Sequence, residues 1–316
     1  MPIIATLPRC TYCLHDCIFD EMHGTAHGFV CHYCFEHFFS RCSVCHNFQR
    51  NCGMEDGICE DCHPTNCWSI IPSPISIATY TNIASKRKYG IELETSNCQN
   101  YRPLKGKTLY GVKFDCSITG MEFISPILYG DEGLQETARF LAYSRENNWQ
   151  TSRDCGYHLH IDARDETTIQ LRHIAYSYAK TYNAWRGLVT QHRAAHNSYC
   201  HAPSYTAEQI RNHSGSIVRF FNNSSRYNWL NLAAYDIHKT IEVRIHQGTL
   251  HAKTISYWVM AHTRFVDAVH NMTYAQIDAI FSGTPEENLT ALCRIWDSAG
   301  GQRISEFYHR RFRIHN

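Results

Sequence analysis

Four well-separated segments of this 316-residue chain alternate apolar residues with glutamate, histidine or arginine. In "KYGIELETS" (88–96), Glu92 and Glu94 stand two positions apart, interleaved with Ile91 and Leu93. A β-strand sends successive side chains to opposite faces, so the two glutamates share one face and the two aliphatics the other. In "TGMEFISP" Glu122 lies between Met121 and Phe123, and in "CGYHLHID" His158 and His160 oppose Leu159 and Ile161. In "KTIEVRIHQG" Glu242, Arg244 and His246 oppose Ile241, Val243 and Ile245. A strand that merely faces water carries Thr, Lys, Ser and Gln, so four strands restricted to Glu, His and Arg ask for another explanation. If these strands are neighbours, one face packs on helices and the other lines a cavity.

The helices to cover the apolar face are present. "TTIQLRHIAYSYAKTYNAWRGLV" (167–189) and "TISYWVMAHTRFVDAVH" (254–270) are long, apolar on one side and free of proline. Shorter candidates cover 132–147, 206–213, 274–282, 286–297 and 302–310. The expected fold class is α+β, a curved, largely antiparallel sheet backed by helices.

Clustered carboxylates cost several kcal/mol unless cations neutralise them. Arg244 alone does not balance Glu92, Glu94, Glu122 and Glu242 together with Asp115; a divalent metal does. Oxygen-rich ligation with one or two imidazoles suits Mg²⁺ or Mn²⁺ better than zinc, and Mg²⁺ commonly bridges carboxylates to substrate phosphates. The reading that needs no ion is a structural Glu–Arg network within the sheet.

The other end of the chain has a different chemistry. Eleven of the sixteen cysteines precede Trp68, and four CxxC pairs occur: Cys10/Cys13, Cys31/Cys34, Cys42/Cys45 and Cys59/Cys62. Each pair offers two thiolates to one tetrahedral zinc, and two pairs complete a shell. "RCTYC" returns as "RCSVC" and "GFVCHYC" as "GICEDC", which favours two consecutive modules with one structural Zn²⁺ each: Cys10, Cys13, Cys31 and Cys34, then Cys42, Cys45, Cys59 and Cys62. A cross-braced pairing is the alternative, with Cys17, His23 or His27 replacing one pair and "CFEHFFSRC" supplying a short helix.

Residues 1–67 carry a net charge of −5, and the remainder +6. A surface that docks on phosphates should be basic, so the cysteine-rich end is expected to contact protein rather than nucleic acid. The composition break sets the expected domains: 1–67 cysteine-rich, 68–85 linker, 86–316 catalytic. No stretch approaches a membrane span, and "MPIIATLP" lacks a signal peptide's basic start. Many cysteines without a secretion signal fit reduced thiols and a cytoplasmic protein with no membrane partner.

"GIELE", "DCSITGMEFISP", "CGYHLHID", "RYNWLN" and "TIEVRIHQGTL", in this order over about 88–260, resemble the amidoligase family of the glutamine synthetase/glutamate–cysteine ligase superfamily. The resemblance implies a glutamine synthetase-like fold whose curved sheet holds ATP and Mg²⁺, and an activity joining a carboxylate to an amine. It implies Mg²⁺ ligation by Glu92, Glu94, Glu122 and Glu242, with Asp115 a looser match. His158 or His160 matches the imidazole near the metal that grips the β- and γ-phosphates, and Arg244 matches the arginine that stabilises the transferring phosphoryl group. Glu92, Glu242, Arg244 and Arg226 are the expected catalytic set. His158, His160, Lys113, Asn231 and Arg244 are the expected nucleotide contacts. The zinc modules lie outside the resemblance.

The expected reaction runs through an acyl phosphate made with ATP, which an amine then displaces, with the zinc domain recruiting a partner or substrate. One substrate is open between a protein and a small molecule. Two other readings stand beside it: a zinc adaptor with a catalytically degenerate ligase-like domain, and a phosphotransferase using the same ATP and metal site.

Other signals are weaker. "YRPLKGKT" (101–108) ends like a phosphate-binding loop but starts on Tyr101 instead of glycine. Cys155 reads as a small buried residue at a strand start. "HRAAHNSYCH", with His192, His196, Cys200 and His201, reads as a histidine-rich loop near the cavity, or a third metal site. "NHSGSIVRFFNNSS" (212–225) reads as a mobile flap or an ordinary loop. "KRK" (86–88) and "RRFR" (310–313) read as solvated charge.

Overall fold

The four alternating segments fold as neighbours in one seven-stranded antiparallel sheet. The computed structural model describes residues 22–25, 28–41, 48–50, 54–55, 58–59, 83–98, 108–113, 118, 120–195, 197–300 and 303–315. The strands of this sheet are β1 (Lys88–Thr95), β2 (Gly111–Lys113), β3 (Met121–Ile124), β4 (Leu128–Tyr129), β5 (Gly156–Asp162), β6 (Leu230–Asn231) and β7 (Thr240–Gln247). Their order is β6-β7-β5-β1-β3-β2, with β4 pairing one end of β1.

Period-2 alternation places this sheet. Ile91, Leu93, Phe123, Leu159, Ile161, Ile241 and Val243 are fully buried on one face. Helices Gly130–Glu146 and Ala252–Val269 pack on that side of the sheet, and Thr168–Arg186 and Pro285–Ser298 pack in turn on Ala252–Val269. Their starts are written in the sequence: Thr167/Gln170 and Thr284/Glu287 form reciprocal capping boxes, and Pro285 sits in the first turn, where no N–H is missed. Helix Ala252–Val269 is buried on nearly every side, which suits a central element between the sheet and outer helices. Trp185, Trp258 and Trp296 meet in this layer and are at most 1% exposed.

One feature of β7 overturns a sequence expectation. Tyr157 pairs with His246 and Leu159 with Val243, so β7 spends one extra residue opposite β5. That bulge flips the strand's later side chains. His246 therefore leaves the face of Glu242 and Arg244 and lies in the core, 1% exposed, its ring 4.7 Å from that of Trp258.

Three more expectations change. The polar stretch 212–225 contains a helix, Ile217–Asn222, whose first turn is capped by Ser216 and whose Ile217, Val218 and Phe221 are buried. Within "KRK", Arg87 is buried rather than solvated: it donates to Asp267 at 2.6 Å and to Glu166 at 2.5 Å, while Lys88 stays exposed. In "RRFR", Arg311 is half-buried and donates to the Leu188 carbonyl at 3.1 Å.

At the cysteine-rich end, hairpin Met22–Thr25/Gly28–Cys31 leads directly into helix His32–Phe38. Cys31 occupies the N-cap position of that helix without a side-chain capping bond, and Cys34 is buried with Val30 and Phe39. Cys59 ends the short strand Ile58–Cys59. The expected ligands Cys10, Cys13, Cys42, Cys45 and Cys62, and the expected Mg²⁺ ligand Asp115, lie outside the described residues.

Candidate active site

Register builds the site in rows across the polar face. Glu94 pairs with Glu122, which also pairs with Lys113; the next row holds His158 beside Glu92; the next, Glu242 beside His160. Asn231 joins from β6 as the partner of Glu242. Antiparallel neighbours stand about 5 Å apart, so groups spread over 150 residues of sequence become contacts.

His158 Nδ1 lies 3.0 Å from Glu92 Oε2 and 4.0 Å from Glu122 Oε1, and His158 Nε2 is 3.7 Å from Glu94 Oε1. His160 Nε2 lies 3.3 Å from Glu92 Oε1 and 3.9 Å from Glu242 Oε1. The first of these is close enough for an ion pair, yet this buried nitrogen makes no aligned hydrogen bond. Its other nitrogen is 2.9 Å from Thr240 Oγ1. Glu94 accepts from the Gly156 N–H at 2.5 Å.

Glu242 is held from two sides, by Arg244 on one oxygen and by the Asn231 amide at 2.7 Å on the other. A cavity of about 270 Å³ opens over these groups, with Lys113, Tyr199, Arg226, Tyr227 and His238 in its walls. Arg226 and Arg244 both lie over the ring of Tyr227, at 4.9 and 5.8 Å from its centre.

The electrostatics follow from contact outweighing burial. Burial alone would push the Glu92 carboxyl up, but His160 and His158 beside it hold it well below the usual carboxylate range. Glu242 is held down against the same burial by Arg244 and His160. His160 is raised, because Glu92 and Glu242 together outweigh the large cost of burying its charge. The result is ionised acids facing imidazoles in a desolvated site.

Two groups of side chains bring their donor atoms within 4.8 Å of one another: Glu92, Glu122 and His158, and Glu92, Glu242 and His160. Glu92 belongs to both. Two carboxylates and one imidazole each, half-buried or buried at the base of an open cavity, make a donor set that fits Mg²⁺ or Mn²⁺. The unaligned His160 nitrogen points the same way.

So the structure gathers Glu92, Glu94, Glu122, His158, His160 and Glu242 on one face, and sets Lys113, Arg226, Asn231 and Arg244 around them. Cys155 is fully buried and burial pushes its thiol up, as fits a packing role. Cys200 is also buried, its thiol pushed up to about 11, and no metal-binding group forms around His192, Cys200 and His201 among the described residues. His196 lies outside them. Sequence reasoning missed Arg193, from the same stretch, which is 2% exposed behind the site. A lone arginine among histidines offered no periodicity to find it by.

A family model described as a putative amidoligase enzyme matches residues 94–266, just over half of the chain. The match begins at Glu94, two residues after Glu92, and takes in every later residue of the cluster. No curated protein matches the chain.

Proposed function

The chain belongs to the amidoligase family, and on that footing we propose that it joins a carboxylate to an amine at the expense of ATP, with Mg²⁺ at the Glu–His cluster. The observation that carries this is the convergence of Glu92, Glu122, Glu242, His158 and His160 beneath a cavity walled by Lys113, Arg226 and Arg244. Acids at the floor and cations in the wall are what a metal-bound triphosphate needs on its two sides.

A carboxylate does not react with an amine near neutral pH, since oxide is too poor a leaving group. In the proposed reaction a substrate carboxylate oxygen attacks the γ-phosphorus and ADP departs. The amine then attacks the acyl carbon, phosphate leaves, and the nitrogen loses a proton. Mg²⁺, held by Glu92, Glu122 and His158 and by Glu92, Glu242 and His160, would supply charge neutralisation at the phosphates.

The chain's own residues supply position and field. Arg244 is fixed on Glu242 and aimed into the cavity, where its charge meets the phosphoryl group during transfer. His158 and His160 bracket Glu92 and fix its orientation. Asn231 holds Glu242 from the side opposite Arg244. Arg226 and Lys113 reach the same space as further phosphate contacts, and Glu94 stands behind His158.

The cysteine-rich end is proposed to bind two structural Zn²⁺ ions through its four CxxC pairs and, by its −5 charge, to recruit a protein partner or substrate. No helix among the described residues is long and apolar enough to cross a membrane.

The test is direct. The full chain with ATP, Mg²⁺ and hydroxylamine plus a pool of amino acids and peptides should release ADP and phosphate and form hydroxamates, which trap an acyl phosphate. ADP release with no hydroxamate, and phosphate found on an acceptor hydroxyl, would make it a phosphotransferase. No ADP at all would leave the adaptor reading.

A further inference from the structure

We infer that a cleft on the helix side of the sheet binds an amphiphilic anion, a short aliphatic chain ending in a carboxylate or a phosphate; this goes beyond the ligase reading and does not depend on it. The cleft is a cavity of about 590 Å³ between helix Gly130–Glu146, the turn 147–150 that follows it, and the start of helix Ala252–Val269. It shares no wall residue with the cavity over the Glu–His cluster. Its volume falls among small-molecule pockets, about 300–1,000 Å³.

The two helices run antiparallel. Ile83 donates its N–H to Asp131 at the start of the first, and its carbonyl accepts from Arg264 well along the second. The end of the first helix therefore meets the start of the second, and the cleft has two unlike ends. Leu134, Ala138 and Leu141 follow one another at i, i+4 and i+7 as a single stripe along the first helix. Leu134 and Leu141 are 2% exposed, sunk between flanking side chains, so the stripe floors a slot rather than a flat patch. Arg145 continues the stripe one turn on, and His251 and Lys253 reach the same cavity from the start of the second helix. From Leu134 to Arg145 is about 16 Å at 1.5 Å per residue, enough for a short aliphatic chain and its head group.

The charges say which head group. Arg145 and Lys253, the charged side chains in the walls, are both basic. Arg145 is exposed, and its guanidinium has no carboxylate partner among the described residues. Lys253 is placed by rings instead of by an acid, its ammonium 5.4 Å from the centre of Tyr257 and 5.8 Å from that of Phe307. Its position also runs against local electrostatics. A helix N-terminus favours acidic side chains, yet the first turn of this 18-residue helix carries a lysine and no acid. A local preference broken in this way is a common mark of function. An apolar slot ending in a guanidinium fork and an ammonium fits an oxyanion on an aliphatic tail. An uncharged chain would leave the cations unmet, and a bare ion would leave the leucine slot wet.

Isothermal titration calorimetry on the full chain tests this with octanoate, octyl phosphate, octanol and butyrate. The better of the two octyl anions should bind at least about tenfold tighter than octanol, which lacks the charge, and than butyrate, which lacks the tail. Which anion is tighter names the head group. Arg145→Gln and Lys253→Gln should each weaken that anion about tenfold and leave octanol unchanged. Ala138→Phe, which fills the slot without touching a charge, should weaken anion and alcohol alike while melting as wild type does.

The two charge variants report on binding even where Ala138→Phe fails to fold. No binding of either octyl anion, equal binding of anion and octanol, or wild-type affinity in both charge variants overturns the inference. None of these outcomes bears on ADP release or hydroxamate formation, so the ligase reading stands or falls separately.

Discussion

The guanidinium of Arg193 donates to the main-chain carbonyl of Arg244 at 2.6 Å. One buried arginine thus grips the backbone of another at the bulge that aims Arg244 into the cavity. Arg193 is also close to the imidazole row: a Cβ on Gly156 would meet Arg193 Nη2 at 2.9 Å and His158 Nε2 at 3.0 Å. Its Nε makes no hydrogen bond, and burial pulls its pKa below the ordinary guanidinium value.

Arg193→Met removes a desolvated charge that has no carboxylate within ion-pair distance among the described residues. Replacing a buried charge by an apolar side chain of similar size is often neutral or stabilising, so the melting temperature should hold or rise. Turnover should nevertheless fall by about a hundredfold, the usual cost of misplacing a catalytic group by an ångström. Nucleotide affinity should stay within about threefold, and Arg193→Lys, which keeps a donor for the Arg244 carbonyl, should recover part of the rate. Steady-state kinetics beside a thermal melt decide it: wild-type turnover in Arg193→Met removes the positioning role.

Glu92 is the one side chain common to both groups of candidate metal donors. Glu92→Gln should therefore lose more Mn²⁺ than either Glu122→Gln or Glu242→Gln, each of which leaves one group whole. Mn²⁺ bound per chain, counted by electron paramagnetic resonance with and without ATP, gives the comparison. Equal losses from all three variants would mean a single site, or none, in place of two that share an edge.

The strands were legible because burial on one face is a period-2 signal, and Ile91, Leu93, Leu159, Ile161 and Val243 keep that period without a break. The acidic and imidazole face followed from it by elimination. The bulge in β7 was not legible, since an extra residue shows only once its partner strand is known; hence His246 reads as part of the polar face with Glu242 and Arg244 and lies in the core. Helix Ile217–Asn222 hid among Asn, Ser and Gly, although Ser216 ahead of Ile217, Val218 and Phe221 carries a cap and an apolar stripe. Arg87 looked like surface charge because its partners, Glu166 and Asp267, are far away in sequence.

Arg244 is charged under all ordinary conditions: burial works against it, but Glu242 and Glu92 more than restore it and raise its pKa. If that charge meets the phosphoryl group in flight, Arg244→Ala should lower ATP turnover about a thousandfold, in the range found for such arginines. Nucleotide affinity should change far less, because the metal and Lys113 contacts proposed for the ground state remain. Glu242 loses one of two partners in this variant, so Arg244→Lys serves as a control that retains a cation. Wild-type ATP consumption by Arg244→Ala would sink the assignment.

Asp297 ties the last helix to the domain, and its pH dependence can be worked out. Its carboxylate accepts from Ser305 Oγ at 2.5 Å, from the Ile304 N–H at 3.2 Å and from Arg303 Nε at 3.4 Å, which places the start of helix Ser305–His315 against the end of helix Pro285–Ser298. Burial alone would raise the carboxyl, but these donors hold it below the ordinary aspartate value. A group with a depressed folded pKa stabilises the fold above its unfolded pKa, about 3.9 for aspartate, and loses that contribution as pH falls through the folded value. Asp297→Asn should therefore be less stable than wild type at neutral pH, with the gap closing as pH drops below about 4. Urea unfolding of both proteins between neutral and acid pH measures the gap directly. A gap that stays constant through that window would mean the carboxylate's charge contributes nothing to holding this helix.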